Sequence, residues 1–327
     1  MHFKSASAVA LAAFTTNVIA QTGTTVAEQA FPSRPMRIIC SLATGGGMDA
    51  TARLVGQRLG ERWEQAVVVE NRPGAGGALG SELVAKAPAD GHTLLTISIA
   101  YAVIPASHNN LPYDPVRDLT PVAVMVNATN ILVVHPSVPV KSVKELIAFA
   151  QAHPGKLSYS SSGNGAAAHL MLEAFKLATG TDILHVPYKG SGPGFIDLVA
   201  GRVSLTATSL STAMGYVKEG KLRVLATTGA RRSSVLPGLP TIAEAGVPGY
   251  AVDNWYAMFA PAATPRPVLA QLNREMVSFL HSAETRQRLA PLGLEPAAEP
   301  LPDTNAYIKA EIEKWAKVVK VAGIRAE

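Results

Sequence analysis

The sequence predicts an α/β fold with two lobes, each a mostly parallel sheet flanked by helices. Apolar stretches of strand length alternate with amphipathic stretches of helix length along most of the chain, a pattern typical of sheets covered on both faces. A strand, a glycine-bearing loop and a helix follow one another at 38–59 and again at 157–177. Two such units far apart in sequence predict two lobes that face one ligand. With 327 residues, 48% of them hydrophobic, the chain is long enough for two such lobes.

The first thirty residues are expected to lie outside both lobes. Lys4 supplies a positive charge, residues 8–14 are apolar, and Val18-Ile19-Ala20 fits a signal-peptidase site. We therefore expect residues 1–20 to be a cleavable signal peptide and residues 21–30 a flexible leader. No later stretch approaches the roughly 20 apolar residues that a membrane-spanning helix needs, so the sequence predicts a soluble, exported protein.

The first lobe is predicted to consist of residues 31–129 and 254–327. Its first strand-and-helix unit is expected at 37–62. Further strands are expected at 66–70, 93–98, 122–126 and 255–260, and the two last helices are expected from 262 onward and at 303–323. Residues 66–70 are expected to form a buried strand, and the last helix carries an apolar stripe that should pack on the sheet.

The second lobe is predicted over residues 130–253. Strands are expected at 131–134, 183–186, 203–208 and 223–227, and helices at 142–152, 195–200 and 213–218. A strand, loop and helix are expected together at 157–179. Ser142 and Glu145 have the spacing of a capping box, which marks the start of the first helix.

Composition excludes several classes of function. The formal net charge is +5, or +4 after loss of Lys4, and the basic residues are scattered, which is too diffuse for nucleic-acid binding. Cys40 is the only cysteine, so there is no intramolecular disulfide and no cysteine-based metal cluster. The histidines show no metal-ligand spacing. We predict no cofactor and no metal.

Two enzymatic interpretations, a dinucleotide-binding enzyme and a hydrolase, have weak support but stay open. Residues 67–80 form a strand, a G-x-G-x-x-x-G run and a helix, yet the spacing is one residue longer than in a dinucleotide fingerprint, and no acidic residue ends a following strand. Ser160, Ser161, Ser162 and His169 are close in sequence, but they do not form a G-x-S-x-G elbow.

The two glycine-bearing loops are the favoured ligand site. In a parallel sheet such loops lie at the carboxyl edge of the strands, where backbone N–H groups and the positive end of a helix suit an anion. Residues 44–49 and 160–166 occupy these loops. With a mildly basic exported chain, this pattern points to a small acidic solute.

The chain also closely resembles the solute-binding receptors of tripartite tricarboxylate transporters, the Bug family. The matching residues follow one another along nearly the whole chain after residue 30: Gly45-Gly46 with Asp49 and Arg53, 68–77, 111–115 with Asp118, 134–137, 162–165 with His169-Leu170, 186–190, 220–223, 239–241 with Glu244 and Gly246, Trp255 and Ala260-Pro261.

The resemblance implies a periplasmic binding protein of the type II-like, venus flytrap kind. Such a protein closes on a small carboxylate, with hinges here near 130–133 and 253–256, and passes the ligand to an integral membrane permease. It is expected to be a monomer, to bind no nucleic acid and to have no catalytic residue. The expected ligand-binding residues are Thr44, Gly45, Gly46, Gly47, Met48, Asp49, Ser98, Tyr101, Ser160, Ser161, Ser162, Gly163, Asn164, Gly165, Ala166, His169, Thr208, Ser209 and Asp253.

Several positions depart from the family pattern. Leu42 and Ala43 replace an aromatic residue or proline, Ala166 replaces a hydroxyl residue, and Ser204 and Thr208 replace aspartates. Since the aspartates would pair with an ammonium, we expect a mono- or dicarboxylate without an amino group. A sensing role, with docking on a signalling receptor, and an exported enzyme are the alternatives.

Overall fold

The computed structural model describes residues 1–2, 31–108 and 110–325. Apart from Met1 and His2, the predicted signal peptide and leader therefore lie outside the described residues. Residues 32–108 and 110–325 belong to one compact unit. Within the described ranges, no helix combines the length and the apolar character that crossing a membrane requires.

Two sheets organise the compact unit. Six strands form the first sheet in the order β11-β4-β10-β3-β1-β2, with bounds β1 Met36–Cys40, β2 Val67–Asn71, β3 Thr93–Ser98, β4 Leu119–Ala128, β10 Asn254–Pro261 and β11 Leu294–Pro296. Five strands form the second sheet in the order β7-β6-β8-β5-β9, with bounds β5 Asn130–Val134, β6 Ser158–Ser161, β7 Leu184–Pro187, β8 Leu205–Ser209 and β9 Arg223–Thr227.

The helices connect these strands. In chain order they are α1 Gly47–Trp63, α2 Ala78–Ala85, α3 Ile104–Ser107, α4 Val143–Ala152, α5 Ala167–Thr179, α6 Ser191–Val199, α7 Leu210–Lys218, α8 Arg266–Leu280, α9 Ala283–Leu289 and α10 Leu301–Ala322. Short 3₁₀ helices cover Ala75–Gly77, Ile99–Ala102 and Ala290–Leu292. The structure confirms the predicted α/β class with two helix-flanked sheets.

The prediction of mostly parallel sheets needs a correction, because both sheets are mixed. β1 pairs in parallel with β2 and β3, whereas β10 is antiparallel to β3 and β4, and β4 is antiparallel to β11. In the second sheet β6 is parallel to β7 and β8, but β5 is antiparallel to β8 and β9. The strands β4, β5 and β10 flank the points where the chain passes between the sheets. They therefore do not follow the strand–helix–strand pattern that gives parallel pairs.

Other predictions meet the structure with smaller differences. Residues 67–71 form a strand at the edge of the first sheet, so Val68 is 50% exposed and the strand is not buried as predicted. Ser142 caps α4 by accepting from the Glu145 N–H at 3.2 Å, as predicted, while Glu145 Oε2 accepts from the Lys141 N–H. The sequence did not reveal β11 or α9.

The apolar stripe of α10 packs on β4, as predicted. Ile308, Trp315 and Val319 are buried there, and Glu311 on the same helix accepts from both buried indoles, Trp255 Nε1 at 3.0 Å and Trp315 Nε1 at 3.1 Å. This contact fixes the start of β10.

The chain passes from the first sheet to the second between residues 128 and 130, and it returns between residues 227 and 254. The lobe boundaries at 129/130 and 253/254 stay predictions.

Candidate ligand site

A cavity of about 1240 Å³ is lined by loops and strand ends from both sheets. From the first sheet come the loop after β1, the 3₁₀ turn before α2, and the ends of β3 and β10. The second sheet contributes the loops after β6, β7 and β8. The loops that follow parallel strands thus meet at one place, as the two strand–loop–helix units in the sequence predict.

The loop after β1 is held in shape by the Asp49 carboxylate. That side chain is 6% exposed and accepts from the Gly45 N–H at 3.1 Å, from Asn71 Nδ2 at 2.9 Å and from Arg53, whose Nη2 lies 3.0 Å away. Burial alone would raise the pKa of Asp49, but the hydrogen bonds from Arg53, Gly45 and Asn71 outweigh it and hold the pKa below its usual value. Asp49 therefore stays ionised and shapes the loop, with its oxygens engaged by the protein.

Helices that begin at the cavity leave their first N–H groups without a side-chain cap. The N-cap residues are Gly46 for α1, Ala166 for α5 and Gly190 for α6, and none of them makes a side-chain capping bond. The first backbone bond in α1 runs from Ala50 N to Gly46 O at 3.0 Å, and in α5 from Leu170 N to Ala166 O at 3.0 Å. The N–H groups before these bonds, with the helix dipoles behind them, suit an anion.

Elsewhere in the described part of the fold the helix starts differ, because α4 and α9 have side-chain caps whereas α8 and α10 begin after Pro265 and Pro300 without one. Ser142 caps α4, and Ser282 caps α9 by accepting from the Thr285 N–H at 3.2 Å. At the cavity, α7 is the exception, because Ser209 lines the cavity and also accepts from the Thr212 N–H at 3.4 Å. Uncapped starts also occur away from the cavity, so what distinguishes α1, α5 and α6 is that their N-cap residues line it.

Two stacked imidazoles support the loop after β6 from behind. His169 Nδ1 accepts from the Gly165 N–H at 3.0 Å, and His185 Nε2 lies 2.7 Å from Ser161 Oγ. The rings of His169 and His185 stack at 4.0 Å, with the ring of Tyr159 4.7 Å beyond His185. Both ends of the loop are therefore fixed by side chains that do not line the cavity.

These imidazoles are held neutral. Burial lowers the pKa of His169, although the nearby Glu173 carboxylate opposes the shift. Burial, followed by the electrostatic effect of the neighbouring His169, lowers the pKa of His185 to about 4. A neutral His169 is required for the contact with Gly165, since a protonated ring nitrogen cannot accept.

Most of the predicted ligand-binding residues do line the cavity: Thr44, Gly46, Gly47, Met48, Asp49, Ser98, Ser160, Ser161, Ser162, Gly163, Asn164, Ala166, Thr208 and Ser209. Whether they contact a ligand stays a prediction. Gly45 and Gly165 sit in the same loops but do not line the cavity, and Gly45 lines a smaller neighbouring cavity of about 330 Å³.

Three predicted residues lie elsewhere. Tyr101 is 1% exposed, packs against Phe259 with the ring centroids 4.0 Å apart, and donates its hydroxyl hydrogen to Pro115 O, because the 3₁₀ helix after β3 turns it into the core. His169 lies behind its loop, as described above. Asp253 accepts from the Ala230 N–H at 3.2 Å and is not part of the cavity wall.

Sequence reasoning missed several cavity residues. They are the turn 73–77, the loop 187–192, Phe195 and Ile196 of α6, Tyr216 of α7, and Asn130, Asn254 and Tyr256 at the starts of β5 and β10. A signal was present for two of them, because the glycine run before α2 and the Pro187-Tyr-Lys-Gly190 turn both follow strands at the sheet edge. Within the described part of the chain, Asp49 and Lys189 are the only charged residues that line the cavity.

Comparison with known proteins gives a consistent result. The family model described as tripartite tricarboxylate transporter family receptor matches residues 51–324. BugT of Bordetella pertussis is 35% identical over 302 residues, covering 92% of this chain and 93% of that protein.

Two solved structures are also similar. Rpa4515 of R. palustris with adipate has a TM-score of 0.83 at 40% identity, covering 90% of this chain and 99% of that one. MatC (Rpa3494) from Rhodopseudomonas palustris with bound malate has a TM-score of 0.77 at 31% identity, covering 88% and 100%.

Proposed function

Because the chain belongs to the tripartite tricarboxylate transporter receptor family, we propose that it is a periplasmic receptor that captures a small mono- or dicarboxylate. The bound solute would be delivered to the membrane permease of a tripartite tricarboxylate-type transporter. Support for a carboxylate comes from the adipate and malate complexes of the two similar proteins.

The observation that carries the proposal is the pair of bare helix starts on either side of the cavity. α1 begins after Gly46 on the first sheet, and α5 begins after Ala166 on the second. One carboxylate can accept from either start, and a ligand that engages both would favour a closed arrangement of the lobes. Differential contact of this kind is what drives closure in a binding protein.

The ligand is expected to carry no ammonium group. Asp49 is the acidic residue in the described cavity wall, and its oxygens are engaged by Arg53, Asn71 and the Gly45 N–H. An ammonium would therefore lose its water without gaining a carboxylate partner, which is costly. Carboxylates, by contrast, meet backbone N–H groups, hydroxyls and Lys189.

The proposal can be tested by removing one N–H donor. Proline is well tolerated at the first position of a helix, where its missing N–H costs no intrahelical bond. Ala167→Pro suits the start of α5, because Ala166 already has the extended backbone (φ −68°, ψ 158°) that precedes proline. Ala283→Pro is the matched control, since Ser282 before α9 has φ −63° and ψ 150° and that helix starts away from the cavity.

Isothermal titration calorimetry with succinate, adipate, malate and their neutral diamides would give the answer. We expect a dicarboxylate to bind, its diamide not to bind, and Ala167→Pro to weaken binding roughly tenfold or more, the effect of losing a hydrogen bond to a charged group. Ala283→Pro should leave affinity unchanged. Protein that was unfolded and refolded to strip any retained solute, and that still bound none of the acids, would contradict the proposal.

A further inference from the structure

The first sheet directs one tyrosine of β10 to the cavity. Neighbouring residues of a strand point to opposite faces of a sheet. The Trp255 indole donates to Glu311 of α10, so the next side chain, Tyr256, lies on the other face. Tyr256 is paired with Ser98 of β3, and both residues line the cavity. The tyrosine is therefore part of the ligand site and not of the core behind the sheet.

The Tyr256 hydroxyl has no acceptor although the residue is only 6% exposed. Among the described residues none accepts from it, and even the amide oxygen of Asn254, two residues earlier, is left without a partner. The described side-chain atoms that are both unpaired and fully enclosed do not include the Tyr256 oxygen, which is therefore open to the cavity. Such a deeply placed polar group usually has a specific explanation in a native protein.

The hydroxyl lies beside the uncapped start of α1. A Cβ on Gly47, the first residue of this helix, would lie 3.5 Å from Tyr256 Oη and 3.4 Å from the ring carbon Cε2. Gly47 lines the same cavity, and Gly46 before it offers no side chain as a cap. A side-chain donor and the first backbone N–H groups of α1 are thus neighbours in the cavity wall.

The hydroxyl keeps its hydrogen at neutral pH. Burial raises the pKa of Tyr256 to about 12, and the neighbouring Asn254 amide opposes this shift only in part. Tyr256 is therefore a neutral donor over the whole pH range in which a carboxylic acid is ionised.

We infer that Tyr256 is a ligand-binding residue whose hydroxyl donates to the carboxylate that binds at the start of α1. The inference rests on the proposed carboxylate-receptor function and adds a side-chain donor to the backbone donors of that site. A carboxylate has two oxygens with several acceptor positions, so it can accept from the helix N–H groups and from the hydroxyl at once. The positive end of the α1 dipole favours an anion here over a neutral group.

This contact has a recognisable signature, because it involves the carboxylate and not the rest of the ligand. Loss of the hydroxyl should weaken every acid that the receptor binds by a similar factor. A side chain that contacts the carbon chain of the ligand would instead have an effect that depends on chain length and substitution.

The test compares wild type, Tyr256→Phe and the control Tyr307→Phe by calorimetry with succinate, adipate and malate. Phenylalanine keeps the ring beside Gly47 and removes only the hydroxyl. Tyr307 is a suitable control because it lies on α10, with its ring 6.3 Å from that of Trp255, and does not line the cavity. Thermal midpoints would confirm that each variant is folded.

We expect Tyr256→Phe to weaken each acid that wild type binds by about 10- to 150-fold, the effect of losing a hydrogen bond to a charged group. The factor should be similar for the different acids. Tyr307→Phe should bind them as wild type does.

A second readout reports on the hydroxyl directly. Donation from a tyrosine hydroxyl to a carboxylate moves the near-ultraviolet absorption of the ring to longer wavelength. Titration of wild type with a bound acid should therefore give a tyrosine difference spectrum. The contribution of Tyr256 should be missing from the spectrum of Tyr256→Phe and present in that of Tyr307→Phe.

Three results would overturn the inference. One is wild-type affinity in Tyr256→Phe, another is a loss that differs several-fold between acids, and the third is the absence of a tyrosine shift when wild type binds an acid. The third measurement needs no variant. In each of these cases acids still bind to wild type, so the proposed function survives. Failure of every acid to bind to refolded wild type would instead reject the proposed function itself.

Discussion

Acidification should weaken the fold through His185, and the size of the effect can be worked out from its surroundings. The folded protein holds the pKa of His185 at about 4, mainly through burial, whereas an unfolded histidine titrates near 6.5. Between these values the unfolded chain binds more protons than the folded one, so stability falls as pH falls from 6.5 to 4. Above pH 6.5 both states are neutral, and the full stability is present.

The whole shift of about 2.5 units would correspond to roughly 3 kcal/mol at 1.36 kcal/mol per unit. His185 is only partly buried, so solvent screening reduces this figure, and about 1–2 kcal/mol is a reasonable expectation. His169 adds to the loss in the same direction, because burial also lowers its pKa.

The measurement is urea unfolding at pH 7.5, 6.5, 5.5 and 4.5 for wild type, His185→Gln and His153→Gln. Glutamine keeps a polar group near Ser161 but does not titrate, so His185→Gln should lose less stability between pH 6.5 and 4.5 than wild type, by about 1–2 kcal/mol. His153 is exposed at the end of α4 and serves as the matched control, which should follow wild type. Parallel pH curves for wild type and His185→Gln would refute the reasoning.

Two further predictions concern the frame around the site. Glu311→Ala should lower the free energy of unfolding by about 2–6 kcal/mol, because the buried indoles of Trp255 and Trp315 both lose their acceptor. Glu311→Gln keeps a carbonyl oxygen that can accept. Equal losses for the two variants in tryptophan-monitored urea unfolding would therefore contradict this account. Gly77→Ala should lower the free energy of unfolding by about 1–3 kcal/mol, because this residue before α2 has φ +99°. Gly215→Ala lies inside α7, where an added Cβ meets nothing within 4 Å, and should raise the free energy of unfolding by about 0.5–1 kcal/mol in the same assay.

Much of the fold and the family could be predicted because both are recognisable from short contiguous segments of the sequence. The loop 44–49 is recognisable from its glycines between an apolar strand and a helix, and the ordered series of short motifs indicates the receptor family, which the family match confirms. The prediction of a binding receptor and not an enzyme is confirmed with it. Strand direction could not be read in this way, since it depends on how β4, β5 and β10 cross between sheets.

The composition of the site was harder to predict because it depends on contacts between distant segments. His169 and His185 stack only because β7 pairs with β6 in a register that places His185 opposite Tyr159. Tyr101 follows a strand that ends at the cavity, yet one turn of 3₁₀ helix directs its ring into the core against Phe259. Neither outcome is visible in residue spacing along one segment.

Backbone donors at the helix starts can hold a carboxylate, but they cannot distinguish one acid from another, because every residue except proline offers the same N–H group. Discrimination must then come from side chains that face the rest of the ligand. In this cavity they include hydroxyl residues such as Ser98 and Thr208 and exposed apolar groups such as Leu42 and Ile196, which are 42% and 66% exposed. Substitution at these positions leaves the loops held by Asp49 and by the stacked histidines unchanged. Ligand preference can therefore change in such a receptor without a change in how it binds the carboxylate itself.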